Sequence, residues 1–315
     1  MGERTRRVGL YGVIAFMVAI ASSAFFLDGT DSPDAAVPPT AAAAPSTTDA
    51  APDARAFAAP PAADTTAAPP AAAVDLGAGL ASAEESAGDS VDMGVAIMDL
   101  QTGELVGSGG DKQYYSASLS KLLLVVDMLD RRASGDLELS DDDLGLVERA
   151  LSYSDDGAMD VMWTRFDGMG AVDRVAQRVG MTGTHPPDDP SQWGEVVVTA
   201  DDMVRLYQYV LGGKMTTADR DLVVDALDGA QQEAADGFDQ FFGLLDGDAR
   251  GSRAAYAKQG WMYYLPDDVY LHSAGVVDGR YAVALLTVQS GVSTDDARSR
   301  VAAIVSAALT PLPAT

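Results

Sequence analysis

Tyr114-Tyr115-Ser116-Ala117-Ser118-Leu119-Ser120-Lys121 runs directly into Leu122-Leu123-Leu124-Val125-Val126 and on to Leu129, and this junction decides how the rest of the chain is read. The second half is apolar on every side of a helix, which marks a helix buried at the centre of a domain. The first half sets Ser118 and Lys121 three residues apart. If the helix opens near Ser118, that spacing puts both on one face, with the amine beside the hydroxyl and helix N-terminal amides aimed at any developing oxyanion. Lysine acts as a base only when burial or neighbouring cations lower its pKa, and this helix offers burial. Taken alone, Ser-x-x-Lys recurs by chance, and a serine N-cap followed by a solvated lysine accounts for it.

Outward from this junction the elements fall in a distinctive order. Upstream lie a short helix at Leu76–Glu85, an apolar strand at Met93–Met98, a turn at Gln101-Thr102-Gly103 and a partner strand at Glu104–Gly107. Downstream, Ser140 and Asp143 form an N-cap box opening a helix to about Ser152. Helices are expected at Ala158–Phe166, Gly170–Val179, Ala200–Leu211 and Thr217–Leu227, then strands at Ala257–Tyr264, Val269–Val277 and Tyr281–Gln289, and a closing helix at Thr294–Leu309. Two strands, a helical middle, three strands and a helix imply a mixed α/β (α+β) domain spanning 76–315. One sheet is assembled from both ends, with a helical insertion beside it.

Ahead of this domain, Val8–Leu27 is an uncharged run preceded by Arg4, Arg6 and Arg7, long enough to cross a bilayer with the remainder exported. Residues 1–27 therefore read as a signal anchor. Ala21-Ser22-Ser23-Ala24 offers small residues for a signal peptidase, and cleavage there would give a secreted protein. Residues 28–75 are Ala, Pro, Thr and Asp with few large apolar side chains, the composition of a disordered, semi-stiff linker.

Composition excludes several kinds of chemistry. With a net charge of −26 the chain is repelled by phosphate backbones, so nucleic-acid binding is not expected. There is no cysteine, which removes thiol catalysis, disulfides and a lipid-bearing cysteine together. His185 and His272 are the only imidazoles, so neither a metal site nor a Ser-His-Asp hydrolase is expected, and no cofactor is implied. A nucleophilic serine here needs a different base.

Two further segments give the serine and lysine a context. Ser154-Asp155-Asp156 lies between two helices, and Lys258-Gln259-Gly260 opens a C-terminal strand. Each has an ordinary explanation, with Ser154 or Asp156 capping the next helix and Lys258 a strand-edge charge. Together and in this order they resemble the Ser-x-x-Lys, Ser-Asp-Asn and Lys-Thr-Gly elements of class A β-lactamases and penicillin-binding proteins. The resemblance covers about residues 76 to 312. It includes the Thr-Gly turn, the aromatic residue four before the serine, and Val196–Leu206 leading into a helix. Lys258-Gln259-Gly260-Trp261 with Ser273-Ala274-Gly275-Val276-Val277 is similar to exported actinobacterial members.

The resemblance implies a five-stranded, mainly antiparallel sheet flanked by helices, with an all-helical subdomain. It also implies that Ser118 attacks a lactam or peptide carbonyl while Lys121 takes its proton, and that Ser154 relays a proton to the departing nitrogen. Lys258 would polarise that relay and attract a substrate carboxylate, and the backbone N–H groups of Ser118 and Trp261 would form the oxyanion hole. Asp156, Gln259 and Gly260 complete the expected substrate-binding set. The expected partners are a β-lactam or the D-alanyl end of a cell-wall peptide, and the protein is expected to be a monomer.

Three departures from the family pattern bear on activity. Asp156 replaces asparagine and would hold Lys121 charged, and Gln259 replaces a small hydroxyl residue. Thr182–Thr199, where class A β-lactamases carry the deacylating glutamate, has no Glu-x-x-Leu-Asn. Its acids Asp188, Asp189 and Glu195 read as solvated loop charges. The expectation is therefore a β-lactamase-like serine hydrolase at the cell surface that forms an acyl-enzyme and turns it over slowly, and a degenerate module that binds wall peptides or a protein without catalysis is the alternative.

Overall fold

Strand β1 (Asp92–Asp99) sends Val95 and Ile97 to one side and Ala96 and Met98 to the other, and both sides are buried. This period of two gives the computed structural model, which describes residues 74–264 and 266–314, its two apolar layers. β1 pairs antiparallel with β2 (Leu105–Ser108) and with β7 (Tyr281–Ser290). β7 pairs with β6 (Asp268–Val277), which pairs with β5 (Ala255–Tyr264). The order is β2-β1-β7-β6-β5, antiparallel throughout, so the two ends of the domain meet at the β1–β7 seam.

Val95, Ile97, Leu271, Val283 and Leu285 pack under α1 (Leu76–Ala87), α9 (Thr294–Leu309) and the short α8 (Gly247–Arg250). The opposite face, with Ala96, Met98, Ala274, Ala284 and Leu286, belongs to the second core. That core contains α2 (Ser120–Ser134), α3 (Asp141–Ser152), α4 (Asp156–Arg165), α5 (Gly168–Val179), α6 (Ala200–Leu211) and α7 (Thr217–Asp228). Every residue of α2 from Ser120 to Leu129 is buried, as its all-round apolar sequence requires. Its one buried acid, Asp127, is gripped from α5 by Arg174 through Nε and Nη2 at 2.9 and 2.8 Å.

Much of the acidity sits at helix starts. The first turns of α3, α6, α7 and α9 hold Asp141, Asp142, Asp143, Asp201, Asp202, Asp219, Asp295 and Asp296, where they complement the helix dipole. Ser140 and Asp143 form the full capping box that the sequence implied. Other boundaries moved. α4 begins at Asp156, not Ala158, because Asp155 caps it by accepting from Ala158 N–H at 3.1 Å. Lys258-Gln259-Gly260 lies in the middle of β5, since the strand starts earlier, at Ala255.

Two small strands, β3 (Tyr114–Tyr115) and β4 (Val197–Val198), pair antiparallel and were not foreseen, since two residues carry no periodicity. The apolar run at 8–27 and the Ala/Pro/Thr segment through Ala73 lie outside the described residues. Among the described residues no helix is long and apolar enough to cross a membrane.

His272 on β6 ties the sheet to β3. Its Nδ1 accepts from Thr287 N–H at 3.1 Å, so Nε2 carries the proton and donates to Tyr115 O at 2.9 Å. Burial pushes its pKa down from 6.5 to about 4. The unfolded chain therefore takes up this proton more readily, and the stability from neutral His272 is complete above pH 6.5 and lost as pH falls through about 4. The expected loss from this residue is about 3 kcal/mol. Urea unfolding between pH 7 and 4 should show a steep decline in the parent that flattens in His272→Gln.

Candidate functional site

Ala117 adopts the left-handed region at φ 46°, which turns the chain sharply after β3 and sends Ser118 and Leu119 into one 3-10 turn before α2 begins at Ser120. The expected α-helical start at Ser118 is thus replaced by a tighter turn. The spacing argument survives, because residues three apart also share a face in a 3-10 helix. Ser116 N–H donates to Val196 O at 2.8 Å, fastening the turn to the segment before β4. On the other side β5 comes so close that a Cβ on Gly260 would lie 2.8 Å from Ser116 O and 3.3 Å from Leu119 Cγ. Gly260 therefore serves as the point of approach between the strand and the serine turn.

Five expected side chains, Ser118, Lys121, Ser154, Asp156 and Lys258, meet at this turn. Lys121 Nζ donates to Ser118 Oγ at 2.6 Å, to Ser154 O at 2.9 Å and to Asp156 Oδ1 at 2.7 Å. Lys258 Nζ donates to Ser154 Oγ at 2.8 Å and to Gln259 O at 2.9 Å. Ser154 reaches both lysines because it too has positive φ, 51°, between the end of α3 and the Asp155 cap. Both lysines are 0% exposed. Burial lowers the pKa of Lys121, and the neighbouring Asp156 works against that shift without cancelling it. Lys258 is held well below the usual lysine range by burial and then by the charge of Lys121. Lys121 Nζ also lies 3.4 Å from Ser154 Oγ, so a chain of exchangeable protons runs from Ser118 Oγ through Lys121 and Ser154 to Lys258.

In front of the turn is an open cleft of about 500 Å³, lined by Ser118, Asp156, Trp193, Asp236, Phe238 and Trp261 among others. Trp193 covers Lys121, with its ring centroid 4.6 Å from Nζ, and its own indole N–H donates to Asp160 at 2.8 Å. Trp261 stacks on Phe238 and donates to Asp236. Neither Trp193, Asp236 nor Phe238 was anticipated. The one available signal was that the chain has only 3 tryptophans, and two of them, Trp193 and Trp261, line this cleft.

Gln259 departs from its expected place. It is fully buried, and its amide donates to the carbonyls of Gln240 and Phe242, away from the cleft. Instead of adding bulk at the substrate position, it anchors the loop that carries Asp236 and Phe238. Glu195 is not a free loop charge either, since it accepts from Tyr264 OH at 3.0 Å. Asp188 and Asp189 are exposed, with Asp189 accepting from Ser191. Neither lines the cleft. Among the described residues no group of three or more His, Asp or Glu side chains is arranged to hold a metal ion.

Comparison with known proteins agrees with this geometry. Residues 80–142, which include Ser118 and Lys121, match the model of the β-lactamase enzyme family. The chain belongs to the β-lactamase enzyme family, as this match and the relatives that follow show. It is 33% identical over 236 residues to LppW of Mycobacterium tuberculosis (strain ATCC 25618 / H37Rv), named as a candidate lipoprotein, covering 74% of this chain and 73% of that protein. The fold is similar to that of a β-lactamase from Chitinophaga pinensis DSM 2588, with TM-score 0.60, 16% identity and coverage of 71% of this chain and 96% of the other. It is likewise similar to a β-lactamase from Sphaerobacter thermophilus DSM 20745, with TM-score 0.61, 19% identity and coverage of 77% and 100%.

The contact between Lys121 and Asp156 makes a measurable claim. Asp156→Asn removes the charge that opposes burial, so Lys121 should lose its proton at lower pH than in the parent. Following the Lys121 side-chain resonances by NMR, assigned with Lys121→Arg, should show that downward move. An unchanged or higher titration point would mean that Asp156 does not influence the amine.

Proposed function

We propose that the protein is a serine acyl-transfer hydrolase that forms an acyl-enzyme with β-lactams or D-alanyl peptides and releases it slowly. The observation that carries this reading is the 2.6 Å contact between Lys121 Nζ and Ser118 Oγ, with the lysine buried and its pKa lowered. In its neutral form Lys121 accepts the Ser118 hydroxyl proton as Oγ bonds to the carbonyl carbon. The C–N bond then breaks, and the proton returns to the leaving nitrogen through Ser154, whose Oγ is oriented by Lys258. The backbone N–H groups of Ser118 and Trp261, both at the cleft, are the candidate oxyanion donors.

Slow release follows from the segment before β4. Where the family's hydrolytic glutamate belongs, this chain presents Trp193 and Gly194 to the cleft. Asp156 is already paired with Lys121, which occupies it against activating water. The alternative, a non-catalytic binding module, draws on the same Lys121–Asp156 pair, which favours the charged amine.

The charge-flanked run at 8–27 would hold the domain outside the membrane, in keeping with the name of the mycobacterial relative. Attachment through a lipidated cysteine does not apply to this sequence, which has none.

Intact-protein mass spectrometry after incubation with a penicillin tests the reading. The parent should gain the full mass of the penicillin and lose it over many minutes, and Ser118→Ala should gain nothing. Lys121→Ala should acylate about 10²–10⁴ times more slowly. A parent that neither gains mass nor consumes penicillin would leave the binding module as the better account.

A further inference from the structure

The walls of the cleft carry a charge pattern that bears on the substrate they accept. Asp236 is fixed in a turn, with Oδ1 accepting from Phe238 N–H at 2.9 Å and Oδ2 from the Trp261 indole at 3.0 Å. Phe238 lies flat on Trp261, their centroids 4.7 Å apart and their planes 13° from parallel. A carboxylate that keeps free lone pairs beside these rings suits an ammonium or guanidinium through a charged hydrogen bond, while the rings themselves already hold Lys258 Nζ 5.7 Å from the Trp261 centroid and Arg298 5.5 Å from that of Phe238. Asp156 adds a second carboxylate to the same cleft, with 60% of its side chain exposed.

An anion is offered much less. Among the described residues lining the cleft there is no lysine or arginine. Lys121 and Lys258 lie behind the lining, and their donors are engaged by Ser118, Ser154, Asp156 and the carbonyl of Gln259. Gln259 carries no hydroxyl, and its amide N–H groups are donated to the carbonyls of Gln240 and Phe242, away from the cleft. Arg298 is the cation nearest to Phe238, 5.5 Å from its ring, but it is bound to Asp239 and to the carbonyls of Asp239 and Phe241.

Resting on the reading of Ser118 as the acylated nucleophile, we infer that this cleft selects acyl donors carrying a positive charge, such as a peptide bearing a primary ammonium, over donors carrying a carboxylate, with Asp236 as the specificity-determining residue. The family's own elements would lead to the opposite preference. Here the buried lysines serve the proton chain, and the accessible charge is negative.

The test uses one penicillin in three forms, namely the free acid, its neutral methylamide and its cationic aminoethylamide, each incubated with the full chain and followed by intact mass. The aminoethylamide should acylate Ser118 at least about tenfold faster than the free acid, with the methylamide between them. Asp236→Asn should shrink the ratio of cationic to anionic rates to a few-fold at most, and Asp236→Lys should invert it. Equal rates in the parent, or a faster free acid, would overturn the inference while leaving the acyl-enzyme intact. If no form labels Ser118, the acylation reading fails by itself, and calorimetry with Ser118→Ala decides the selectivity. Affinity in the order cation, neutral, anion supports it, whereas no binding, equal affinities or the reverse order overturns it.

Discussion

Two lysine ammonium groups lie beyond the reach of water and must satisfy their donors inside the protein, and the parts around the cleft are arranged by that need. Lys121 requires the serine turn, the Ser154 loop and the start of α4 to converge on one point. Lys258 requires β5 to pass directly behind them. An isolated charge at either position would be costly enough to be neutralised. The lowered pKa of both groups reflects that cost. Strain at Ala117 and Ser154, both with positive φ, accompanies the same convergence.

Asp156 tempers this arrangement without reversing it. The carboxylate is largely in solvent, where water weakens its field, while the amine it touches is wholly enclosed. Desolvation therefore remains the larger influence on Lys121. Had the carboxylate been buried as deeply as the amine, the pair would have favoured the charged form of the lysine far more strongly.

The five strands of the main sheet and most of the helices were legible in the sequence because their signals are local. Continuous apolar runs mark β1 and β7, Ser140 with Asp143 marks the start of α3, and Leu122–Leu129 marks a helix with no solvent face. The three motif segments were legible as well, and the family resemblance implied that they meet, but the backbone angles at Ala117 and Ser154 that bring them together are signalled by neither residue type. Gln259 shows the limit most clearly. A glutamine in place of a small hydroxyl residue reads as bulk in the cleft, whereas the side chain turns to the carbonyls of Gln240 and Phe242. The loop holding Asp236 has no period to read, and its place is set by those distant hydrogen bonds. Asp127 was hidden in the same way, its partner Arg174 being 47 residues away.

The position of the indoles has an optical consequence. Trp193 lies over the Lys121 ammonium and Trp261 lies against Phe238 beside the Asp236 carboxylate, so both chromophores sit in the local field of the groups that a substrate would touch. Trp163 is anchored elsewhere, donating to Pro190 O at 2.9 Å, and gives a steadier background. Entry of any molecule into the cleft changes the polarity around two of the 3 tryptophans at once. The protein thus carries its own fluorescent reporter of occupancy, readable without a label and independent of whether a covalent bond forms.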